Sequence, residues 1–172
     1  ISYNQDTGLA SEGLQAVLFD EPVKALLSTK KQGDASQTLV DVDGEVTAGS
    51  LAKWSQRPEA LFLNGKIPYS AHVTLNHRPA KPAIATDTPE KSPDSSAPYA
   101  VVKVTSQLAG VSVDLPAPYG KSAELERPLV FSMAMRDQTS LVEVNYGDNL
   151  HSLFELDPHQ NNKLLNANIA LD

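Results

Sequence analysis

The sequence predicts a β-rich α+β protein: short strands forming a sandwich or barrel-like sheet, with an N-terminal helical segment and short helices at the C-terminus. Three observations predict it. Apolar and polar residues alternate from Ile67 to Leu75, the period of a half-buried strand. The dipeptides Asp43-Gly44 and Asn64-Gly65 are two-residue hairpin signals. Short strand-like runs separated by Gly and Pro fill residues 100–146, the pattern of a small sheet protein.

The elements follow in order. Residues 9–29 read as helical: Leu14, Val17 and Leu18 share a face at helical spacing. Pro22 divides the segment, and Val23, Ala25, Leu26 and Leu27 form a second short helix. Ser11 or Thr7 is the expected N-cap. Leu39, Val40 and Val42 then run into the Asp43-Gly44 turn, and Val46 returns. Leu61-Phe62-Leu63 leads to Asn64-Gly65, and the strand from Ile67 follows. Pro68 places that strand at a sheet edge or at its own beginning, because proline has no N–H to give a ladder.

Residues 79–98 carry Pro79, Pro82, Pro89, Pro93 and Pro98 among small polar residues. They read as a Pro-rich linker or exposed loop, because they bury too little apolar area to offset their ordering entropy. This divides the chain into an N-terminal region, 1–78, and a β-rich region, 99–172. Strands are expected at 100–108, 111–115, 129–135 and 141–146. No internal repeat is visible.

Composition narrows the function. The 172 residues suit one domain or two small ones, and 41% apolar residues suffice for a core. A net charge of −7 with no Lys/Arg-rich run argues against nucleic acid as a partner. The absence of cysteine removes disulfides, thiolate chemistry and Cys-ligated zinc. No apolar run is long enough for a membrane-spanning helix. The chain starts at Ile1, which points to a processed end or a start inside a longer polypeptide.

Enzymatic and metal motifs fail on spacing. His72 and His77 are five apart and would face opposite sides of a strand, so no shared zinc site is expected. Asp41-Val42-Asp43-Gly44-Glu45 lacks the later ligands of a calcium loop. Gly8-Leu9-Ala10-Ser11-Glu12-Gly13 misses the nucleophile-elbow spacing by one residue. His151 and His159 read as exposed polar residues. Trp54, the single tryptophan, is a core or hinge anchor or a ring for stacking on a ligand. No catalytic residue, metal ligand or cofactor is assigned.

The C-terminal stretch carries the one hint of a partner. Val142 and Val144 alternate with polar residues, Gly147-Asp148 follows, and Leu150, Leu153 and Phe154 take helical spacing. Asp157-Pro158 would stop that helix and start another holding Leu164 and Leu165. With Asn168, these residues resemble a LysM module, and more loosely the LysM-like domain of opacity-associated protein A, over residues 140–172. The resemblance implies a β-α-α-β unit; the chain reaches Asp172 before that family's closing strand, so either a longer polypeptide or an earlier strand would complete the sheet. It also implies a shallow site for N-acetylglucosamine-containing glycans at Tyr146, Gly147, Asp148 and Asn149 and at Asn168 and Ile169.

The resulting expectation is a non-catalytic extracytoplasmic binding protein, periplasmic, secreted or at the cell surface, attached to peptidoglycan or another glycan or cell-wall polymer. The alternative is a β-sandwich component of an assembly, such as a capsid, pilus or adhesin piece, with protein partners or self-assembly.

Overall fold

The computed structural model describes residues 2–4, 8–32, 35–55, 62–77 and 97–171. Ten strands form one antiparallel sheet. They are β1 (Ser2–Asn4), β2 (Gly8–Leu18), β3 (Glu21–Gln32), β4 (Ala35–Thr47), β6 (Lys66–His77), β7 (Ala100–Ser106), β9 (Leu129–Met135), β10 (Ser140–Tyr146), β11 (Leu150–Asp157) and β12 (Lys163–Leu171). They lie side by side in chain order. Two short strands, β5 (Leu63–Asn64) and β8 (Ser112–Val113), pair separately. The helix α1 (Ala48–Ser55) is the only α-helix among the described residues.

The expected N-terminal helices are strands. Leu14, Val17 and Leu18 have helical spacing, but Val23, Ala25 and Leu27 alternate, and β2 pairs with β3. The turn between them is Phe19-Asp20, both at positive φ (56° and 65°). That geometry suits a tight hairpin, yet Phe-Asp is not a recognisable hairpin dipeptide. Ser11 lies within β2 and caps no helix. Thr7 lies outside the described residues, as does most of the Pro-rich segment. The strands on either side of that segment, β6 and β7, pair directly.

Asp43-Gly44 makes no turn. β4 runs straight through it, with Gly44 opposite Tyr69. Glycine is required here for a different reason: a Cβ would lie 2.7 Å from Val23 Cγ1 and 3.2 Å from the Tyr69 hydroxyl. Asn64-Gly65 makes no hairpin either: Asn64 closes β5, which pairs with β8, and Gly65 at φ 118° bends the chain into β6, which pairs with β4 and β7. Pro68 is the third residue of β6, below the first residue paired with β7, so its missing N–H costs no ladder bond there.

The C-terminal helices are also strands. Tyr146 pairs with Leu150 around the turn Gly147–Asn149, and β11 carries Leu150, Leu153 and Phe154 extended. Asp157-Pro158 opens only a 3-10 turn, Pro158–Gln160, whose end is set by Asn161 and Asn162 at positive φ. The β-α-α-β unit is therefore not formed. The sandwich or barrel-like expectation is likewise replaced by one broad open sheet with β1 and β12 at its edges.

Candidate functional site

Cα partners in an antiparallel ladder share a face, so the register assigns every side chain. One face is apolar across nine strands. Leu14 of β2, Ala25 of β3, Val42 of β4, Ala71 of β6, Val104 of β7, Phe131 of β9, Val144 of β10 and Ser152 of β11 lie in one row. The next row on this face is Leu27, Val40, Val73, Val102, Met133, Val142, Phe154 and Ala167. Leu75, Ala100, Met135, Leu156 and Leu164 continue it. Eight inter-strand spacings from β2 to β12 give a surface about 38 Å long, at about 4.8 Å each.

Among the described residues this face is covered at one end only. Between β7 and β9 an insert, residues 107–128, folds over the margin where β6 and β9 begin. With β5 and α1 it makes the fully buried core: Val23, Val46, Ile67, Tyr69, Leu108, Val111, Val113 and Tyr146. Val111 and Leu108 are 0% and 1% exposed. Thr47 caps α1 through its hydroxyl on the Ser50 N–H (3.1 Å). Ala48 and Leu51 face the core, while Trp54 is 67% exposed and packs edge-on against Phe19 at 5.2 Å. Trp54 is thus not a buried anchor.

The insert is pinned by polar contacts. The Lys121 ammonium is buried and donates to the carbonyls of Val111, Ser122 and Leu125. Burial, and next the nearby Arg127 charge, pull its pKa below the usual lysine value. The Arg127 guanidinium lies 4.9 Å over the Tyr146 ring and donates to the carbonyls of Pro118 and Tyr119. The Tyr146 hydroxyl donates to the Tyr119 carbonyl at 2.9 Å. The Tyr69 hydroxyl, by contrast, is buried without a partner, and burial raises its pKa.

Beyond the insert the apolar face has no second layer among the described residues. Val40, Val73, Leu75, Val102, Met133, Val142, Phe154 and Leu156 are only half-buried. A layered domain would cover such a face. The opposite face carries polar pairs: Asp41 with His72 (2.5 Å), Ser70 with Asp43 (2.6 Å) and Gln37 with Asn76 (3.0 Å). His72 and His77 point to opposite faces, as their spacing predicts. Asp41, Asp43 and Glu45 lie along a straight strand. No group of three metal-binding side chains occurs among the described residues.

The expected glycan residues are dispersed. Tyr146 is buried under the insert. Gly147 turns at φ 56°, with Asp148 exposed and Asn149 half-buried beside it. Asn168 and Ile169 lie two strands away on the edge strand, opposite Leu153 and Ser152, and face opposite sides of the sheet. They do not line one cleft with the turn. His151 is exposed in β11 and bonds Asn145, and His159 is exposed in the 3-10 turn and bonds the Asp137 carbonyl. The apolar face was missed because its strands were read one at a time. Their shared face emerges only from the register.

Comparison with known proteins settles the family. No curated protein and no solved structure matches the chain. A family model that matches is that of a bacterial envelope family, and neither it nor the all-strand C-terminal stretch supports the LysM resemblance. No described helix is long and apolar enough to cross a membrane. The matching description, YhdP protein, covers residues 2–172, so the chain belongs to the YhdP family.

Proposed function

We propose that this chain is a non-catalytic, extracytoplasmic binding protein whose uncovered apolar sheet face carries the alkyl chains of an amphiphile. One observation carries the reading: a continuous, half-exposed apolar face crosses nine strands with no covering layer among the described residues. A surface of this size left to water is costly, and soluble proteins rarely leave one without a partner. An acyl chain spans half of a hydrocarbon core about 30 Å thick, or about 15 Å. The face is therefore long enough to hold more than one chain. The envelope family supports an extracytoplasmic setting, where amphiphiles are abundant. The glycan expectation took its geometry from helices that are not present, and the apolar face supplies the stronger reading.

A chain-length series tests this. Each buried methylene contributes about 0.8 kcal/mol, so two more carbons should tighten binding roughly tenfold. Met133→Gln keeps the side-chain length and places an amide at the centre of the face. It should weaken binding of a fluorescent fatty acid, while Ser132→Gln on the opposite face should not. Affinity independent of chain length and of Met133 would refute the reading.

One observation favours self-association as a second reading. β12 is an unpaired edge whose Leu164, Leu165, Ile169 and Leu171 are each more than half exposed, and such edges are templates for strand pairing. Sedimentation over a concentration series tests it. A monomer throughout removes it.

A further inference from the structure

We infer that Lys31, Ser36 and His77 hold the anionic head group of the bound amphiphile, with its alkyl chain lying along the strands toward the insert. This rests on the apolar-face reading and adds the direction and charge of the ligand.

Register puts these three side chains on the apolar side of the sheet. Lys31 of β3 is opposite Ser36 of β4, and Ser36 is opposite His77 of β6, so they share a face. Two residues further in, Thr29, Thr38 and Leu75 form the next row, and Leu27, Val40 and Val73 the one after. Side-chain contacts agree with the register. The Thr38 hydroxyl lies 3.0 Å from His77 Nε2 and 3.3 Å from the Thr29 hydroxyl. The face that is apolar at Leu27, Val40 and Val73 is therefore polar at the ends of the same strands.

Charge is sorted between the two sides of these strands. On the apolar side, from Ala25 to Lys31, from Val42 to Ser36 and from Ala71 to His77, no carboxylate occurs. Asp41 and Asp43 project from the other side, where they bond His72 and Ser70. In a chain of net charge −7, Lys31 gives this corner a positive sign. The Ser36 hydroxyl and the His77 ring add hydrogen-bonding groups beside it. An ammonium with such neighbours suits a carboxylate or phosphate oxygen. Lys31 and His77 are exposed, so the head group stays at the water boundary.

The length fits as well. Ala71 belongs to the buried cluster under the insert, while Val73 and Leu75 beyond it are half-buried. Along β6, Leu75 lies about 13 Å and His77 about 20 Å from Ala71, at about 3.3 Å per residue. An acyl chain of about 15 Å that starts at Ala71 ends between Leu75 and His77. The reverse direction would press the charged group against Leu108, Val111 and Val113, where burial is costly. The Lys121 ammonium at that end is already bound to three carbonyls.

Palmitate and hexadecanol share a chain but differ in charge, so their competition against a fluorescent fatty acid tests this. The wild-type protein should prefer palmitate, and less so as salt rises. Lys31→Gln should cut that preference about fivefold, the upper end for an exposed ion pair, and leave hexadecanol unchanged. Adding His77→Ala should cut it further. Lys30 is opposite Gln37, whose amide bonds Asn76 on the other face, so Lys30→Gln should change nothing. Acetate, which has the charge without the chain, should not displace the probe at palmitate's concentration. An unchanged ratio in the double variant, an equal loss in Lys30→Gln, or displacement by acetate overturns the assignment and leaves the apolar face standing. A wild-type ratio independent of ionic strength overturns it without any substitution. Failure of both palmitate and hexadecanol to bind wild-type protein overturns the face and the assignment together.

Discussion

Replacing Lys121 with methionine should loosen the insert from the sheet. Methionine keeps the packed stem and removes the ammonium, leaving the carbonyls of Val111, Ser122 and Leu125 without their shared donor. Hydrogen bonds to a charged group contribute about 1.5–3 kcal/mol each before offsets. The recovered desolvation cost of a buried ammonium cancels much of that sum. The net loss should be about 2–3 kcal/mol. For a chain of this size each kcal/mol lowers Tm by about 2–4 °C, so Lys121→Met should melt about 4–12 °C below wild type in a calorimetric scan. Hydrogen exchange should quicken at Val111, Val113 and Lys121, while the β10–β11 ladder stays protected. A Tm within about 2 °C of wild type, with unchanged exchange in the insert, would show that the three carbonyl contacts are not what holds it.

Other substitutions probe the same frame. Gly44→Ala places a Cβ 2.7 Å from Val23 Cγ1 and should cost about 1–3 kcal/mol in urea unfolding, as overpacking does; adding Val23→Ala should recover part of the loss. Tyr146→Phe removes the hydroxyl that bonds the Tyr119 carbonyl and should cost about 1 kcal/mol, while the ring stays under Arg127. The pH dependence follows from the lowered Lys121 pKa. Between that value and the ordinary 10.5, the unfolded chain holds more protons on Lys121 than the folded one, so stability rises with pH across this window. The stability gap between wild type and Lys121→Met should therefore widen as pH approaches 10.5, and a constant gap contradicts it.

Strands with clean alternation were legible in the sequence. Ile67 to Leu75, Leu129–Met135 and Val142 to Tyr146 stand where the period of two places them. The failures came where turn chemistry and spacing misled. Leu14, Val17 and Leu18 match a helical face by coincidence, and Phe19-Asp20 turns without the residues that announce a turn. Asp43-Gly44 announces one that is never made, because its glycine yields space to Val23 and Tyr69. In the C-terminal stretch Leu150, Leu153 and Phe154 also fit helical spacing, but Gly147–Asn149 connects two paired strands.

The helix α1 was missed although Thr47 and Ser50 mark its start, because the segment is short and its apolar side has few residues. The functional face was legible only in pieces. Val102, Met133, Val142 and Phe154 are far apart in sequence, and no local pattern says that they share one surface.

The most direct measurement is cross-linking with a fatty acid that carries a photoreactive group midway along its chain, read by peptide mass spectrometry. The account predicts adducts on the apolar face away from the insert, at Val102, Met133, Val142 and Phe154. Neighbours on the opposite face, Lys103, Ser132, Glu143 and Leu153, should stay unlabelled. Labelling spread equally over both faces, or none that long-chain competitors displace, would contradict it.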